Sequence, residues 1–367
     1  MQIKAFRATR PDFAKLPTPP DAFFDDVKEH FDAQRKSGLF ALEAEPAAMY
    51  IYRIQTEVGS HTGIVACADV RDYLEQNILR HEQTLGEKEK HQAALFELRQ
   101  ALIKPVLLTH PPTPQIHTFI ENYVAKNIVF CNIKIGNEKH QFWQIKDNKN
   151  IQILQLLFQQ YLPQAFIADG HHRIITAATR YQRDKTELYA QFMAAFFASD
   201  QLKVLPFYRI VKLDDDFSAY VFLEKLALVC DITKIDYASS PSSPNHLMMY
   251  MGKQWYELIW KDSILATSDK INDNLDVTLL NQHIITPLLG VQKIIDSSKI
   301  TYVEGNKKLS EIVSKVNLGS KSVAFCLYPL DISDMLRVAA SKQTLPPKST
   351  CFEPRMKNGL LVQTFLE

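Results

Sequence analysis

The stretch Ala165–Arg173 constrains this chain more than any other. Four apolar residues (Ala165, Phe166, Ile167, Ala168) run straight into Asp169-Gly170, and from His171 to about Arg183 the apolar spacing turns helical. A buried strand that turns at a glycine into a helix calls for a sheet with helices packed on it, and the mixed strand and helix signals along the rest of the chain, without a fixed-period repeat, make the expected class α+β. The flanking segments agree. Ile151–Tyr161 reads as an amphipathic helix ended by Pro163, and Leu188–Ala198 as a buried strand.

Elsewhere, helices are expected over Asp25–Gln34, Glu87–Ile103, Ile116–Lys126, Phe217–Val229, Leu275–Leu289 and Ile332–Ala340. In Glu87–Ile103 the residues Leu95, Leu98 and Leu102 form the apolar stripe. Strands are expected over Ala48–Ile54, Gly63–Ala68, Ile128–Ile135, Pro206–Val211 and Ser322–Leu327, with a pair within Met248–Ile259. Stacked prolines in Thr109–Pro114 forbid helix and suggest a boundary. Three segments follow: an α+β region over 1–110, a core over 111–215 that carries the central loop, and an α+β region over 216–367.

Composition narrows the class of function. The 367 residues carry 42 Lys and Arg against 41 Asp and Glu, a net charge of +1. No global field recruits nucleic acid or an anionic membrane. With 11 glycines there is little material for Gly-rich phosphate loops. The five cysteines (Cys67, Cys131, Cys230, Cys326, Cys351) are scattered and form no C-x-x-C, which fits a reducing compartment. Met1–Pro11 has charges where a signal peptide needs an apolar stretch, and the longest apolar run is too short to span a bilayer. A cytoplasmic protein without membrane partners is expected.

Three clusters bear chemistry. In Asp169-Gly170-His171-His172-Arg173, a helix N-terminus offers unpaired N–H groups and a positive dipole end to an anion. Gly170 lets backbone approach a ligand, and Arg173 is suited to gripping phosphate or carboxylate. The plainer alternative is that Asp169 caps the helix and the imidazoles bond to backbone.

The second cluster, Arg80-His81-Glu82-Gln83-Thr84, opens like H-E-x-x-H. Leu85 stands where the second histidine belongs, so zincin geometry fails. Glu82 is a candidate general base, against the plainer reading of a solvated charged helix end. The third is Leu345-Pro346-Pro347-Lys348-Ser349-Thr350, whose ending is similar to a P-loop without the required glycines. A Walker loop is rejected; a rigid turn presenting Lys348, Ser349 and Thr350 to phosphate stands beside a structural clasp.

The order of these clusters resembles one family. An early H-E-x-T, the central A-D-G-H-H-R, and a late L-P-x-K-S-T-x-F-x-P-R followed by Gly359-Leu360 resemble the bacterial domain-of-unknown-function family numbered 1015. Ala48–Arg53, Thr62–Ala66 and Leu275–Leu280 support the match, which spans nearly the whole chain. The central motif is also similar to that of an ADP-dependent free-serine kinase and to shorter signatures of ParB and sulfiredoxin. The resemblance implies a ParB/sulfiredoxin-like α+β core with additional N-terminal and C-terminal elements. It further implies that Asp169, Gly170, His171, His172 and Arg173 hold the phosphates of a nucleotide; Lys348, Ser349 and Thr350 join them as candidates from the reading of the late turn. In the serine kinase a glutamate from another segment is the base, and Glu82 is the analogous candidate. Two departures stand out: Pro206-Phe207-Tyr208-Arg209 lacks the histidine of the family pattern, and Pro19-Pro20-Asp21 lacks its tyrosine.

The expected function is therefore nucleotide binding, with ADP, ATP or CTP and Mg²⁺ as cofactors and phosphoryl transfer to a small hydroxylated metabolite as the reaction. In that scheme Asp169 holds the metal, His171 or His172 assists the transferring group, and Glu82 takes the acceptor proton. All three clusters then line one cleft. A ParB-like nucleotide switch or DNA-associated module, and a metal-assisted phosphatase or nuclease, are the alternatives. Trp143, Trp255 and Trp260 are read as packing residues.

Overall fold

A computed structural model describes residues 1–42, 46–83, 86–265, 271–294, 298–318 and 321–365. Thr84 and Leu85, at the end of the second cluster, lie outside the described residues. Helices and mixed sheets make the protein α+β. The chain divides into two compact units: Met1–Arg80, Gly86–Lys203 and Pro354–Glu367 form the first, and His81–Leu85 with Val204–Glu353 the second.

The first unit is built on a nine-stranded sheet. Its strands run in the order Ile78–Leu79, Ala165–Asp169, Val106–His110, Gln191–Ala198, Gly59–Asp69, Met49–Thr56, Glu138–Ile145 and Cys131–Ile135. Ile3–Lys4 pairs with the end of Gly59–Asp69. The sheet is mixed: Val106–His110 runs parallel to Gln191–Ala198 and antiparallel to Ala165–Asp169. Sequence reading put a boundary just after Val106–His110, but this strand lies between strands from the 111–215 segment, so both segments share one sheet. The prolines after it do end the strand. Thr113 precedes a helix, Pro114–Lys126, that begins on proline, where the missing N–H costs nothing.

The helices Pro114–Lys126, Asn148–Tyr161 and His171–Asp184 give Ile116, Ile120, Leu154, Phe158, Ile174 and Ala178 to the sheet's core. The helix expected over Glu87–Ile103 stops earlier, at Gly86–Arg99. Gln100 turns the chain with φ 45°, in the left-handed region, and Leu102 enters a short strand, Ala101–Leu102, paired with Gln363–Thr364. The Leu95–Leu98–Leu102 stripe is thereby broken. Leu98 is 73% exposed, and Phe96 enters the core instead, its ring 5.1 Å from that of Phe365.

In the second unit six antiparallel strands run in the order Cys230–Ile235, Gln254–Trp260, His246–Met251, Ser322–Leu327, Phe207–Lys212 and Ile300–Glu304. Alternate residues point to opposite faces. Leu247, Met249, Val323 and Phe325 pack with Leu280, Ile284 and Ile285 on one face. Met248, Tyr250, Ala324 and Cys326 pack with Ile312 and Val316 of the helix Leu309–Leu318 on the other. Burial on both faces explains why these strands read as unbroken apolar runs. The single helix expected over Leu275–Leu289 is a composite. An α-helical turn, Asp276–Leu279, widens into a π-helical turn, Leu280–Ile285, before Thr286–Leu289. No helix of the described residues is long and apolar enough to cross a membrane. The three tryptophans are buried in packing roles.

Candidate functional site

The strand Ala165–Asp169 carries a register shift between Ile167 and Asp169 against Val106–His110. The irregularity frees Asp169 to face the turn rather than the sheet. Gly170 follows at φ 105°, a conformation that an L side chain adopts only under strain, and it stands as the N-cap of the helix His171–Asp184. No side chain caps this helix and no acid lies in its first turn. The capping role considered for Asp169 is therefore not what the geometry shows.

Asp169 instead gathers cations. Its Oδ2 accepts from Arg173 Nη2 at 3.0 Å and lies 3.0 Å from Lys104 Nζ. Arg173 also donates to the carbonyl of Pro105 at 3.2 Å, while its buried Nε has no hydrogen-bond partner. The fit is close, since a Cβ at Gly170 would come within 2.7 Å of Arg173 Nη2. Burial pushes the Asp169 carboxyl up, but Lys104 and Arg173 outweigh it and hold it well below the usual carboxylate range. Burial also lowers the Lys104 ammonium; Asp169 opposes that change, and the positive charges of Arg173 and Arg355 add to it. Two cations thus converge on one carboxylate, an excess of positive charge beside a helix N-terminus that no side chain caps. His171 and His172 open that helix and are partly buried.

The other two clusters come together within the second unit. Leu345 pairs with the short stretch His81–Gln83: its N–H donates to the His81 carbonyl at 2.7 Å, and Gln83 N–H donates back at 3.1 Å. This brings the Glu82 carboxylate onto the turn that follows. Glu82 Oε1 accepts from the Lys348 N–H at 2.9 Å, and Oε2 from the Ser349 N–H at 3.1 Å and the Thr350 N–H at 3.4 Å. Lys348 sits at φ 59°, so successive N–H groups converge into an anion-binding concavity. Burial raises the Glu82 carboxyl, and the hydrogen bonds from Lys348, Ser349 and Thr350 moderate the rise.

Neighbouring groups reinforce the turn. His81, fully buried, places Nε2 2.7 Å from Thr350 Oγ1, and Ser349 Oγ donates to the Pro346 carbonyl at 2.6 Å. Arg209 is 1% exposed and donates to the carbonyls of Phe207 and Lys348 at 2.8 and 3.2 Å. Burial lowers its guanidinium to about 10, with Tyr302 and Glu82 opposing. Lys348 Nζ rests 4.8 Å from the centre of the Phe207 ring. The N–H groups expected to meet phosphate here hold Glu82.

The loop Asp169–Arg173 belongs to the first unit, and Glu82 with Lys348–Thr350 to the second. Sequence reasoning missed Lys104, which precedes a proline and carries no motif, and it missed Arg209 as the side chain bracing the turn. Among the described residues no group of three or more His, Cys, Asp or Glu is placed to hold a metal. Asp169 alone remains as a carboxylate for a cation, and Lys104 and Arg173 already compete for it.

The chain belongs to the family described as "Protein of unknown function (DUF1015)", whose pattern matches residues 4–278. No curated protein matches it. Among solved structures, it is similar to SbnI with a C-terminal truncation from Staphylococcus aureus, at 12% identity and a TM-score of 0.44 over 80% of this chain and 85% of that one. A free serine kinase in complex with AMP is similar at 11% identity and a TM-score of 0.41, over 78% and 86% of the two chains. A variant of free serine kinase in complex with ADP gives 11% and 0.42, over 78% and 87%.

Proposed function

We propose that this member of the family binds the phosphates of an adenine nucleotide at the Asp169–Arg173 loop and transfers a phosphoryl group to a small hydroxylated metabolite. One observation carries the reading: Lys104 and Arg173 converge on Asp169 at 3.0 Å each, beside a helix N-terminus that no side chain caps. Phosphoryl transfer asks mainly for charge neutralisation and positioning, and the cations and the positive end of the helix dipole supply both. The order of motifs along the chain supports the same reading.

In this scheme Lys104 and Arg173 neutralise the phosphates, and the buried Nε of Arg173 gains an acceptor. The helix N–H groups bind non-bridging oxygens. His171 or His172 receives the proton of the acceptor hydroxyl as its oxygen takes the phosphoryl group and the nucleotide leaves one phosphate shorter. A Mg²⁺ accompanying the nucleotide would neutralise phosphate charge, with Asp169 as its one protein carboxylate.

A second reading, a nucleotide switch without turnover, draws on the position of Glu82. Its carboxylate is spent on the turn Lys348–Thr350, and a switch needs no base. Thermal unfolding with ADP, ATP and CTP, with and without Mg²⁺, tests the shared premise. A ligand at a hundred times its Kd adds about 2.7 kcal/mol of stability. We expect an adenine-nucleotide shift that Arg173→Ala abolishes; no shift, or one that survives the substitution, overturns the site. Phosphorus NMR with a panel of hydroxylated metabolites then separates transferase from switch.

A further inference from the structure

The second unit contains a cleft of about 710 Å³ that the nucleotide reading leaves unused. Its wall is rich in amides: Gln83, Asn272, Asn281, Gln282 and Gln292 all contribute. Thr278 stands with them, and both Thr278 and Asn281 are more than nine-tenths buried, with 8% and 7% exposure. Three of the buried oxygens in this wall, Asn272 Oδ1, Thr278 Oγ1 and Asn281 Oδ1, have no hydrogen-bond partner among the described residues. Asn272 is oriented by its own amide, which donates to the Thr344 carbonyl at 3.2 Å and leaves the oxygen for something else. Buried polar atoms are ordinarily paired, and unpaired ones at a cleft wall ask for a ligand that pairs them.

The backbone agrees. Thr278 and Asn281 flank the point where the turn Asp276–Leu279 widens into the π-helical Leu280–Ile285. Single π-helical turns inside helices are rare and are frequently found at functional sites.

The chemistry of the wall selects the ligand. Amide and hydroxyl oxygens without donors call for hydroxyl groups arriving from outside. Charge is balanced, with one acid, Asp273, and one base, Lys293, so a neutral molecule fits better than an ion. No aromatic side chain lines the cleft among the described residues, which leaves a nucleobase without a stacking platform. Pro346, Pro347 and Ile294 provide small apolar faces of the kind that meet the C–H side of a saturated ring.

We propose that this cleft binds a neutral polyhydroxylated small molecule, a sugar or cyclic polyol, through Thr278, Asn281 and Asn272. The proposal rests on the second unit alone and stands apart from nucleotide binding at the Asp169 loop. Saturation-transfer NMR followed by titration calorimetry tests it on the full chain. The probes are a panel of aldohexoses and inositols, with gluconate as a charged control and adenosine as a planar one. Saturable binding of at least one neutral polyol is expected. Thr278→Val and Asn281→Leu should each weaken it roughly tenfold by removing a polar partner. Arg173→Ala should leave it unchanged. If circular dichroism shows Asn281→Leu to be unfolded, the volume-matched Thr278→Val carries the test. Failure of every polyol to saturate, unchanged affinity in the folded variants, or tighter binding of gluconate or adenosine overturns the proposal.

Discussion

The carboxylate of Glu82 lies on the backbone N–H groups of Lys348 and Ser349, at 2.9 and 3.1 Å, from 266 and 267 residues away in sequence. Two motifs that read separately as a base and a phosphate-binding turn are thus one hydrogen-bonded unit. The turn has the geometry of an anion site, and its anion is a side chain of the same chain. Glu82→Gln keeps the shape but loses the charge that makes these bonds strong. We expect a loss of about 2–3 kcal/mol in chemical denaturation, with faster amide exchange at Lys348–Thr350. Unchanged exchange there would mean that the turn holds itself.

Gly170 is open to a sharper test. An alanine there must adopt φ 105° and place its Cβ against the Arg173 guanidinium. Gly170→Ala should cost about 1–3 kcal/mol and, by displacing Arg173, abolish the nucleotide-dependent shift in Tm. Gly38→Ala is the control: its φ is 78°, but no atom lies within 4 Å of the new methyl. Equal losses in the two variants would show that backbone strain, and not the Arg173 contact, sets the requirement for glycine at position 170.

At the proposed nucleotide site, Lys104 would connect anion affinity to acid stability. Because Lys104 and Arg173 hold the Asp169 carboxyl well below the usual range, the ionised form is favoured in the folded protein. That contribution is complete above the unfolded carboxylate pKa and is lost as pH falls toward the folded one. Lys104→Met should shrink this acid-limb loss and weaken ADP binding about tenfold or more in calorimetry. An unaltered ADP affinity would remove Lys104 from the site.

Asp276 predicts the opposite pH trend. Burial raises its carboxyl to about 6, although Trp260 Nε1 donates to Oδ1 at 3.0 Å and the Asn245 N–H to Oδ2 at 3.2 Å. The folded state therefore keeps a proton that the unfolded state has given up, so stability is highest below the unfolded pKa and falls as pH rises through about 6. A fall of roughly 2–3 kcal/mol between acid and neutral pH is expected, with Trp260 fluorescence titrating alongside. Asp276→Asn should flatten both; if the slope persists in that variant, its source is another group.

Much of the fold was legible because its signals are local. The strand Ser322–Leu327 and the helix Ile332–Ala340 appear where the apolar pattern puts them, and the α+β class followed from the mixed strand and helix signals along the chain. What was not legible depends on distant partners. The end of the helix Gly86–Arg99 is set by pairing of Ala101–Leu102 with Gln363–Thr364, which no window of sequence contains. Local pattern also missed the π-helical turn, since the apolar residues on either side keep helical spacing. At the candidate site the D-G-H-H-R run stood out by its chemistry, whereas Lys104 is marked only by its place in space. Glu82 was found for its chemistry, but the N–H groups that occupy it belong to backbone, which sequence reading does not display.

The exchange of short segments between the two units has a consequence for how this protein is made. Residues 81–83 are synthesised long before Leu345 and the turn that receives Glu82, so the second unit must wait for nearly all of its chain before that carboxylate finds its partners. Its final closure therefore follows the synthesis of nearly all of that unit. A fragment begun at Val204 would carry the turn Lys348–Thr350 with its N–H groups pointing at nothing, and would need Glu82 supplied from outside. Complementation by a short peptide bearing residues 81–86 would then be a route to assembling the second unit by itself, and a direct way to watch the Glu82 carboxylate meet its N–H partners.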